Sequence, residues 1–336
     1  MNIAIIGAGA IGSVVAAYLT KAGANVTLVG RLDQVKAIAE NGLKIHGVRG
    51  EETVKIKILP RLDQEHDLVI FTVKTQDIGS ALAENQKFLR NSLILSSQNG
   101  VQADSRFKKD LPKKNIYSSI VMFGSTYLNP GDVLFNFEGD WIIGKPFEPV
   151  DDKVTEIAEI LGQAFQTAVS EDIIGMKWLK LFVNFNNCIP AVVGRSMQET
   201  FSDLDLCRLS IMLLKEGVDC VGKAGINFVS LPKFPVERII GLVNMPIDQA
   251  AGIINKTLTS LSKEPLYGSI LQSIMRKRSS EIDYINGEIV QLAKELKMDA
   301  PLNSQIVDMV HAVEASQRYF DVDAVKEAFN LSLKEA

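Results

Sequence analysis

The sequence predicts an α/β protein: a parallel-sheet domain at the N-terminus, then an all-helical C-terminal domain. Three features carry this. Short apolar, β-branched runs alternate with helical patterns through the first half. A glycine-rich turn joins the first run to the first helical pattern, and from about Lys153 nearly every segment has a helical period. Strand–helix alternation at this spacing is the pattern of βαβ units, whose strands pair in parallel. The 336 residues suit about two domains, placed at 1–168 and 169–336.

Taken in order, residues 2–6, 25–29, 68–73 and 92–96 read as buried strands. Residues 10–22, 33–41, 77–89 and 101–109 read as the helices between them. The interval 42–57 reads as a small hairpin. Residues 117–123 and 133–143, separated by the turn Asn129-Pro130-Gly131, are expected to extend the sheet. An amphipathic stretch at 154–168 and a short extended piece at 169–172 follow. Helical patterns then cover 175–193, 205–224, 236–242, 247–259, 279–296 and 305–315, with Pro232, Pro235, Pro246 and Pro265 at connections and first turns.

Composition removes several functional classes. With 46% hydrophobic and 23% charged residues the chain is ordinary for a globular protein and wrong for disorder. A net charge of −4 argues against nucleic acid as the main partner. Cys188, Cys207 and Cys220 form no Cys-x-x-Cys pair, and histidine is limited to His46, His66 and His311, so neither a disulfide scaffold nor a metal site is expected. Residues 3–20 carry no charge, but no Lys or Arg precedes them and glycines interrupt them. They read as strand, turn and helix rather than as a signal or membrane segment, so a cytoplasmic protein without a membrane partner is expected.

The glycine-rich turn reads Gly7-Ala8-Gly9-Ala10-Ile11-Gly12. Gly7 serves the tight turn, Gly9 lets the backbone approach a pyrophosphate, and Gly12 lets helix and strand pack closely, with the anion at the helix N-terminus. The first domain is therefore expected to be Rossmann-type and to bind a dinucleotide. At the end of the second strand an NAD site would carry an acidic residue. Here Val29-Gly30-Arg31 stands instead, and the planar guanidinium of Arg31 suits a 2′-phosphate. Asp33 is read as the N-cap of the next helix. Lys74 is a second cation at the same sheet edge, so NADP is favoured over NAD. Asn99, in Gln98-Asn99-Gly100, shares that edge, where an Asn-Gly turn and a ligand-binding amide are equally good readings.

In the second half, the segment 176–194 is apolar except for Lys177, Lys180, Asn184, Asn186 and Asn187. Lys180, Asn184 and Asn187 are spaced i, i+4, i+7 on one helical face. Asparagines are poor helix formers, and buried amides need polar partners, so this face reads as a binding stripe. No histidine offers itself as an acid. Lys180 is the better proton donor, because a buried lysine shifts its pKa readily, and Lys177 is expected to be a solvated charge. Glu281, read alone, is a favourable charge in a first helical turn.

Together these residues resemble the ketopantoate reductase (2-dehydropantoate 2-reductase) family over nearly the whole chain. The similarity rests on Gly7-x-Gly9-x-x-Gly12, Arg31, Val73-Lys74, Gln98-Asn99-Gly100, Trp178-Leu179-Lys180-Leu181, Asn184, Asn187, Ser269-x-Leu271-Gln272 and Glu281-Ile282-Asp283-Tyr284-Ile285-Asn286-Gly287. The resemblance implies NADPH-dependent reduction of 2-dehydropantoate to pantoate, a step of pantothenate biosynthesis on the way to coenzyme A. Lys180 would then be the general acid, and Asn99 would contact cofactor and substrate. Asn184 and Asn187 would hold substrate polar groups, Ser269 the substrate carboxylate, and Glu281 would act at the cofactor–substrate junction. Some members place the second asparagine where this chain has Cys188, others where it has Asn187. The expected partner is a small 2-keto acid, and a homodimer is left open. The alternatives are a related reductase of another 2-keto acid and a non-catalytic NADPH-binding protein.

Overall fold

A computed structural model describes residues 1–262 and 264–331. The chain divides into two compact units, Met1–Ile174 and Gly175–Ala336.

The first unit holds β1 (Asn2–Ile6), α1 (Ala10–Lys21), β2 (Asn25–Val29), α2 (Leu32–Asn41), β3 (Leu43–Gly47), β4 (Glu52–Val54), β5 (Lys57–Leu59), β6 (Leu68–Phe71), α3 (Ile78–Asn85), β7 (Leu93–Ser96), α4 (Ala103–Phe107), β8 (Ile116–Val121), β9 (Gly124–Asn129), β10 (Asp132–Phe137), β11 (Trp141–Gly144), α5 (Asp152–Gly162) and β12 (Thr167–Val169). An eight-stranded sheet runs in the order β12-β11-β8-β7-β6-β1-β2-β5. All neighbours are parallel except β11 and β8. Strand β1 is the switch point, with β2 on one side and β6 on the other. Ligands of doubly wound sheets lie at the carboxyl ends of the strands at such a point.

Both faces of this sheet are covered, which is why its strands are apolar at every position rather than alternating. Ile3 and Ile5 pack with α1 and α5, whereas Ala4 and Ile6 pack on the opposite face with α3 and α4. Helix α1 is buried along its whole middle, Gly12 through Leu19. A second sheet, of order β4-β3-β10-β9, packs on α1.

That second sheet corrects one expectation. Strands β8 and β11 do extend the main sheet, but β10 pairs with β3 and β9 instead. The reason is α1: a helix apolar all round needs cover on its outer side, which Val133 and Phe135 of β10 and Ile45 of β3 help to supply. The hairpin expected at 42–57 exists as β3–β4, and it belongs to this second sheet. Strand β12 pairs with β11, so this piece, placed at the start of the helical half from sequence, packs with the first unit.

Helix α6 (Ile173–Asn184) leads into the second unit, which continues with α7 (Cys188–Val193), α8 (Met197–Phe201), α9 (Leu204–Lys223), α10 (Glu237–Asn244), α11 (Ile247–Thr259), α12 (Ser269–Met275), α13 (Asn286–Glu295), α14 (Pro301–Ser316) and α15 (Val322–Ala328). The central α9 starts where the Asp203 carboxylate accepts from the backbone N–H groups of Asp205 and Leu206. Its buried residues Leu206, Leu209, Ser210, Leu213, Leu214, Gly217, Cys220 and Val221 recur at helical spacing, and α10, α11, α13 and α14 pack around it. Glu216 of α9 caps α14, its carboxylate accepting from Leu302 N (2.9 Å) and Asn303 N (2.7 Å). Among the described residues no helix is long and apolar enough to cross a membrane.

Candidate active site

The glycine-rich turn lies between β1 and α1, and each glycine has its own reason. Gly7 has φ +121°, and a Cβ there would stand 2.7 Å from Val73 N. A Cβ on Gly12 would stand 2.0 Å from Gly7 O, so only glycine lets α1 approach the turn. At Gly9 a Cβ would meet no protein atom within 4 Å. The space beside Gly9 is open, next to a helix N-terminus with no side-chain cap and no acidic residue in its first turn. Ala10 and Ile11 form that turn, and Ala8 is buried beneath it. Unsatisfied N–H groups and the positive end of the helix dipole suit a pyrophosphate. These residues fit a dinucleotide.

Arg31 follows β2 at the same edge. Its side chain is 51% exposed, with Nε 3.5 Å from Asp33 Oδ1. Helix α2 begins at Leu32, so Arg31 is its N-cap and Asp33, expected in that role, sits in the first turn. The work of an N3 capping side chain falls to Gln34, whose Oε1 accepts from Arg31 N at 2.9 Å. Lys74 follows β6, half-buried at the start of a short 3₁₀ turn, Thr75–Asp77. Asn99 follows β7, its carbonyl accepting from Thr75 Oγ1 at 3.3 Å. Gln98 is buried and structural: its Nε2 donates to Phe71 O (2.8 Å) and Val73 O (3.0 Å), lacing β7 to the end of β6. The first unit thus brings Gly7, Gly9, Gly12, Arg31, Lys74 and Asn99 to the carboxyl ends of β1, β2, β6 and β7.

In the second unit Lys180 is half-buried on α6, and its sequence neighbours Leu179, Leu181 and Phe182 are buried. Phe182 stacks on Phe185 with ring centroids 4.7 Å apart and meets Phe228 edge-on, which holds this stretch firmly. Burial pushes the Lys180 ammonium down to about 8 from an ordinary 10.5. Lys177, expected to be solvated, is instead 3% exposed.

The regular spacing of the polar stripe also needs correcting. Helix α6 ends at Asn184 and a 3₁₀ turn, Phe185–Asn187, leads to α7. Asn187 therefore does not continue the face of Lys180 at 3.6 residues per turn. It lies against Gly268, where a Cβ would stand 2.1 Å from Asn187 Oδ1. This contact sets Asn187 beside the start of α12, where Ser269 is exposed. Asn186 turns away and accepts from Ser210 Oγ. Glu281 is half-buried at the start of the 3₁₀ turn Ile282–Tyr284, in a segment pinned to α14 by a hydrogen bond from Ser280 N to Glu314 Oε1 (2.6 Å) and by His311 Nε2 with Asp283 Oδ1 (2.9 Å). Among the described residues no group of three or more His, Cys, Asp or Glu could hold a metal ion.

Two family models match the chain, "Ketopantoate reductase PanE/ApbA" over residues 3–146 and "Ketopantoate reductase PanE/ApbA C terminal" over residues 172–314. The chain belongs to the ketopantoate reductase family. It is 32% identical to the 2-dehydropantoate 2-reductase of Pyrococcus horikoshii over 318 residues, 94% of this chain and 98% of the relative. It is 26% identical to the Archaeoglobus fulgidus enzyme of the same name, over 94% of this chain and 98% of that one. Among solved structures, a ketopantoate reductase from Ralstonia eutropha superposes with a TM-score of 0.79 at 25% identity, covering 94% of this chain and 99% of that chain. The ternary structure of D-mandelate dehydrogenase with NADH and anilino(oxo)acetate has the same fold, with a TM-score of 0.82 at 22% identity over 94% of this chain and 99% of that one.

As a ketopantoate reductase family member the protein is an oxidoreductase. Two residues of its candidate site escaped the sequence reading. Gln34 stands where a capping-box glutamine belongs, three positions after the true N-cap, and was hidden by assigning that cap to Asp33. Gly268 directly precedes Ser269, but only the fold shows that its missing side chain makes room for Asn187.

Proposed function

We propose that the protein reduces 2-dehydropantoate to pantoate with NADPH, as a step of pantothenate biosynthesis, and that Lys180 is the general acid. The observation that carries this reading is the place of Lys180, half-buried on α6 beside the buried Leu179, Leu181 and Phe182, where burial lowers its ammonium to about 8. An acid with a pKa near the working pH is both protonated and ready to give the proton up.

Bound NADPH supplies the hydride that reduces the ketone carbon. The first unit's part is to hold the dinucleotide: the turn from Gly7 to Gly12, with Ala8, Ala10 and Ile11, takes the pyrophosphate, and Arg31 with Lys74 takes the 2′-phosphate. Asn99 contacts cofactor and substrate. Lys180 Nζ donates a hydrogen bond to the ketone oxygen and transfers its proton as the alkoxide forms, so negative charge meets a positive donor in a weakly solvated place. Asn184 and Asn187 hold the substrate's polar groups and Ser269 its carboxylate. Glu281 orients groups at the reacting centre. The substrate assignment is supported by the identity of 32% with the Pyrococcus horikoshii 2-dehydropantoate 2-reductase along 94% of this chain.

A second reading keeps the chemistry and changes the 2-keto acid substrate and the cofactor. The similarity in fold to D-mandelate dehydrogenase bound to NADH favours testing an aryl 2-keto acid and the other cofactor. The experiment is NADPH and NADH oxidation followed optically with 2-dehydropantoate and with phenylglyoxylate. The expected result is a preference for 2-dehydropantoate with NADPH. A preference for phenylglyoxylate would move the protein to the second reading, and cofactor binding without turnover of any 2-keto acid would make it a non-catalytic binder.

A further inference from the structure

We infer that Gln34 is a positioning residue for dinucleotide selection, a buried amide that ties the pyrophosphate turn to the loop carrying Arg31. Its side chain is 4% exposed, and every hydrogen-bonding direction it uses ends on a defined group. Nε2 donates to Ala8 O at 2.5 Å and to Tyr127 OH at 3.3 Å, while Oε1 accepts from Arg31 N at 2.9 Å. The reverse orientation of the amide would set Oε1 against the Ala8 carbonyl and NH2 against the Arg31 N–H, so one arrangement alone satisfies all partners. Ala8 lies between Gly7 and Gly9, and Arg31 is the N-cap of α2. One side chain therefore spans the two segments read as gripping the pyrophosphate and the 2′-phosphate.

The packing leaves little freedom in that span. Gly30, immediately before Arg31, has no room for a side chain: a Cβ would stand 2.7 Å from Ala8 Cβ and 2.9 Å from Gln34 Oε1. The two loops thus press together through Gly30, and Gln34 clamps them from beneath. Tyr127, on β9, adds a third anchor from the second sheet. The guanidinium of Arg31 is exposed and long, so its aim depends on its backbone, and that backbone is held by Gln34. Gln34 acts through Arg31 and Ala8, its own amide being already committed.

This inference rests on the reading of Arg31 as the 2′-phosphate ligand, and the test separates the two. Dissociation constants for NADPH and for NADH are measured with the full chain as wild type, Arg31→Ala, Gln34→Met, Gln34→Asn and Arg31→Ala/Gln34→Met, with thermal unfolding of each. Methionine keeps the length and removes both hydrogen-bonding functions; asparagine keeps the amide but is one methylene too short. Arg31→Ala is expected to lower the preference for NADPH over NADH by about tenfold, the size of one charge-assisted hydrogen bond. Gln34→Met and Gln34→Asn are each expected to lower it about fivefold by misaiming that bond, and Gln34→Met to have no further effect on the ratio once Arg31 is alanine. A wild-type ratio in both Gln34 variants, or equal weakening of both cofactors, would reduce Gln34 to a packing residue. An undiminished effect in the Arg31→Ala background would also overturn the inference. An Arg31→Ala variant with an unchanged ratio would instead remove the cofactor reading beneath it.

Discussion

Replacing Lys180 by methionine is expected to make the protein more stable near neutral pH while removing its activity. The ammonium is held at about 8 rather than 10.5 by burial. At about 1.4 kcal/mol per pKa unit, that shift sets an upper bound of about 3 kcal/mol on the cost of keeping the charge in the folded state. The side chain retains partial exposure, so solvent screening brings the expected figure to about 1–2 kcal/mol. Methionine has similar length, fills the same space and carries no charge. The sign follows from linkage. Below about pH 8 the folded and unfolded chains both hold the proton and the cost is present in full. Between about 8 and 10.5 the unfolded chain binds more protons than the folded one, so wild-type stability rises with pH and the advantage of the variant closes. For a unit of this size the gain amounts to roughly 2–8 °C in Tm. Urea and thermal unfolding of the two proteins from neutral pH to above the ordinary lysine range read it directly. A variant less stable than wild type at neutral pH, or a difference that does not change with pH, would refute the desolvated ammonium.

The two alanine variants of the glycine turn are expected to fail differently. Gly12→Ala places a methyl 2.0 Å from a backbone oxygen, so it lowers Tm along with dinucleotide affinity. Gly9→Ala has room within the protein, so its Tm stays at the wild-type value while the dinucleotide dissociation constant rises tenfold or more, at about 1.4 kcal/mol per tenfold. Gly268→Ala forces Asn187 to move, since the new carbon would stand 2.1 Å from its Oδ1; steady-state kinetics should show a raised KM with the dinucleotide constant unchanged. Ser269→Ala should mostly raise KM, and Glu281→Ala should lower kcat/KM more severely, because misalignment at the reacting centre is felt in the transition state.

The strands, the glycine turn and the sheet edge that carries Arg31, Lys74 and Asn99 were legible in the sequence because each obeys a short-range rule. Apolar runs mark strands covered on both faces, and the Gly7–Gly12 spacing is a motif of a single βα unit, with Gly12 required by its approach to Gly7 O. What escaped depends on distant partners. The β9–β10 hairpin reads like more of the main sheet until α1 is seen to need cover on its outer side. The polar stripe after Lys180 looks like one helix face, but the chain tightens into a 3₁₀ turn at Phe185–Asn187, which spacing alone does not reveal. Lys177 looks like a surface charge in an apolar helix, yet it is buried. Helices α8, α12 and α15 are five to seven residues long, too short for periodicity to register.

The most direct test of the central claim is the single-turnover rate of NADPH oxidation by Lys180→Ala with 2-dehydropantoate, beside NADPH binding and unfolding of the same variant. A positioned general acid contributes about 10²–10⁴-fold, so the rate should fall at least a hundredfold, on the order of that lower bound, while fold and NADPH affinity are kept. Lys180→Arg should restore little, because guanidinium keeps the charge but is a far poorer proton donor. In wild type the rate should decline above about pH 8 as the acid form is lost. A Lys180→Ala rate near wild type, in a folded variant that binds NADPH, would contradict Lys180 as the acid.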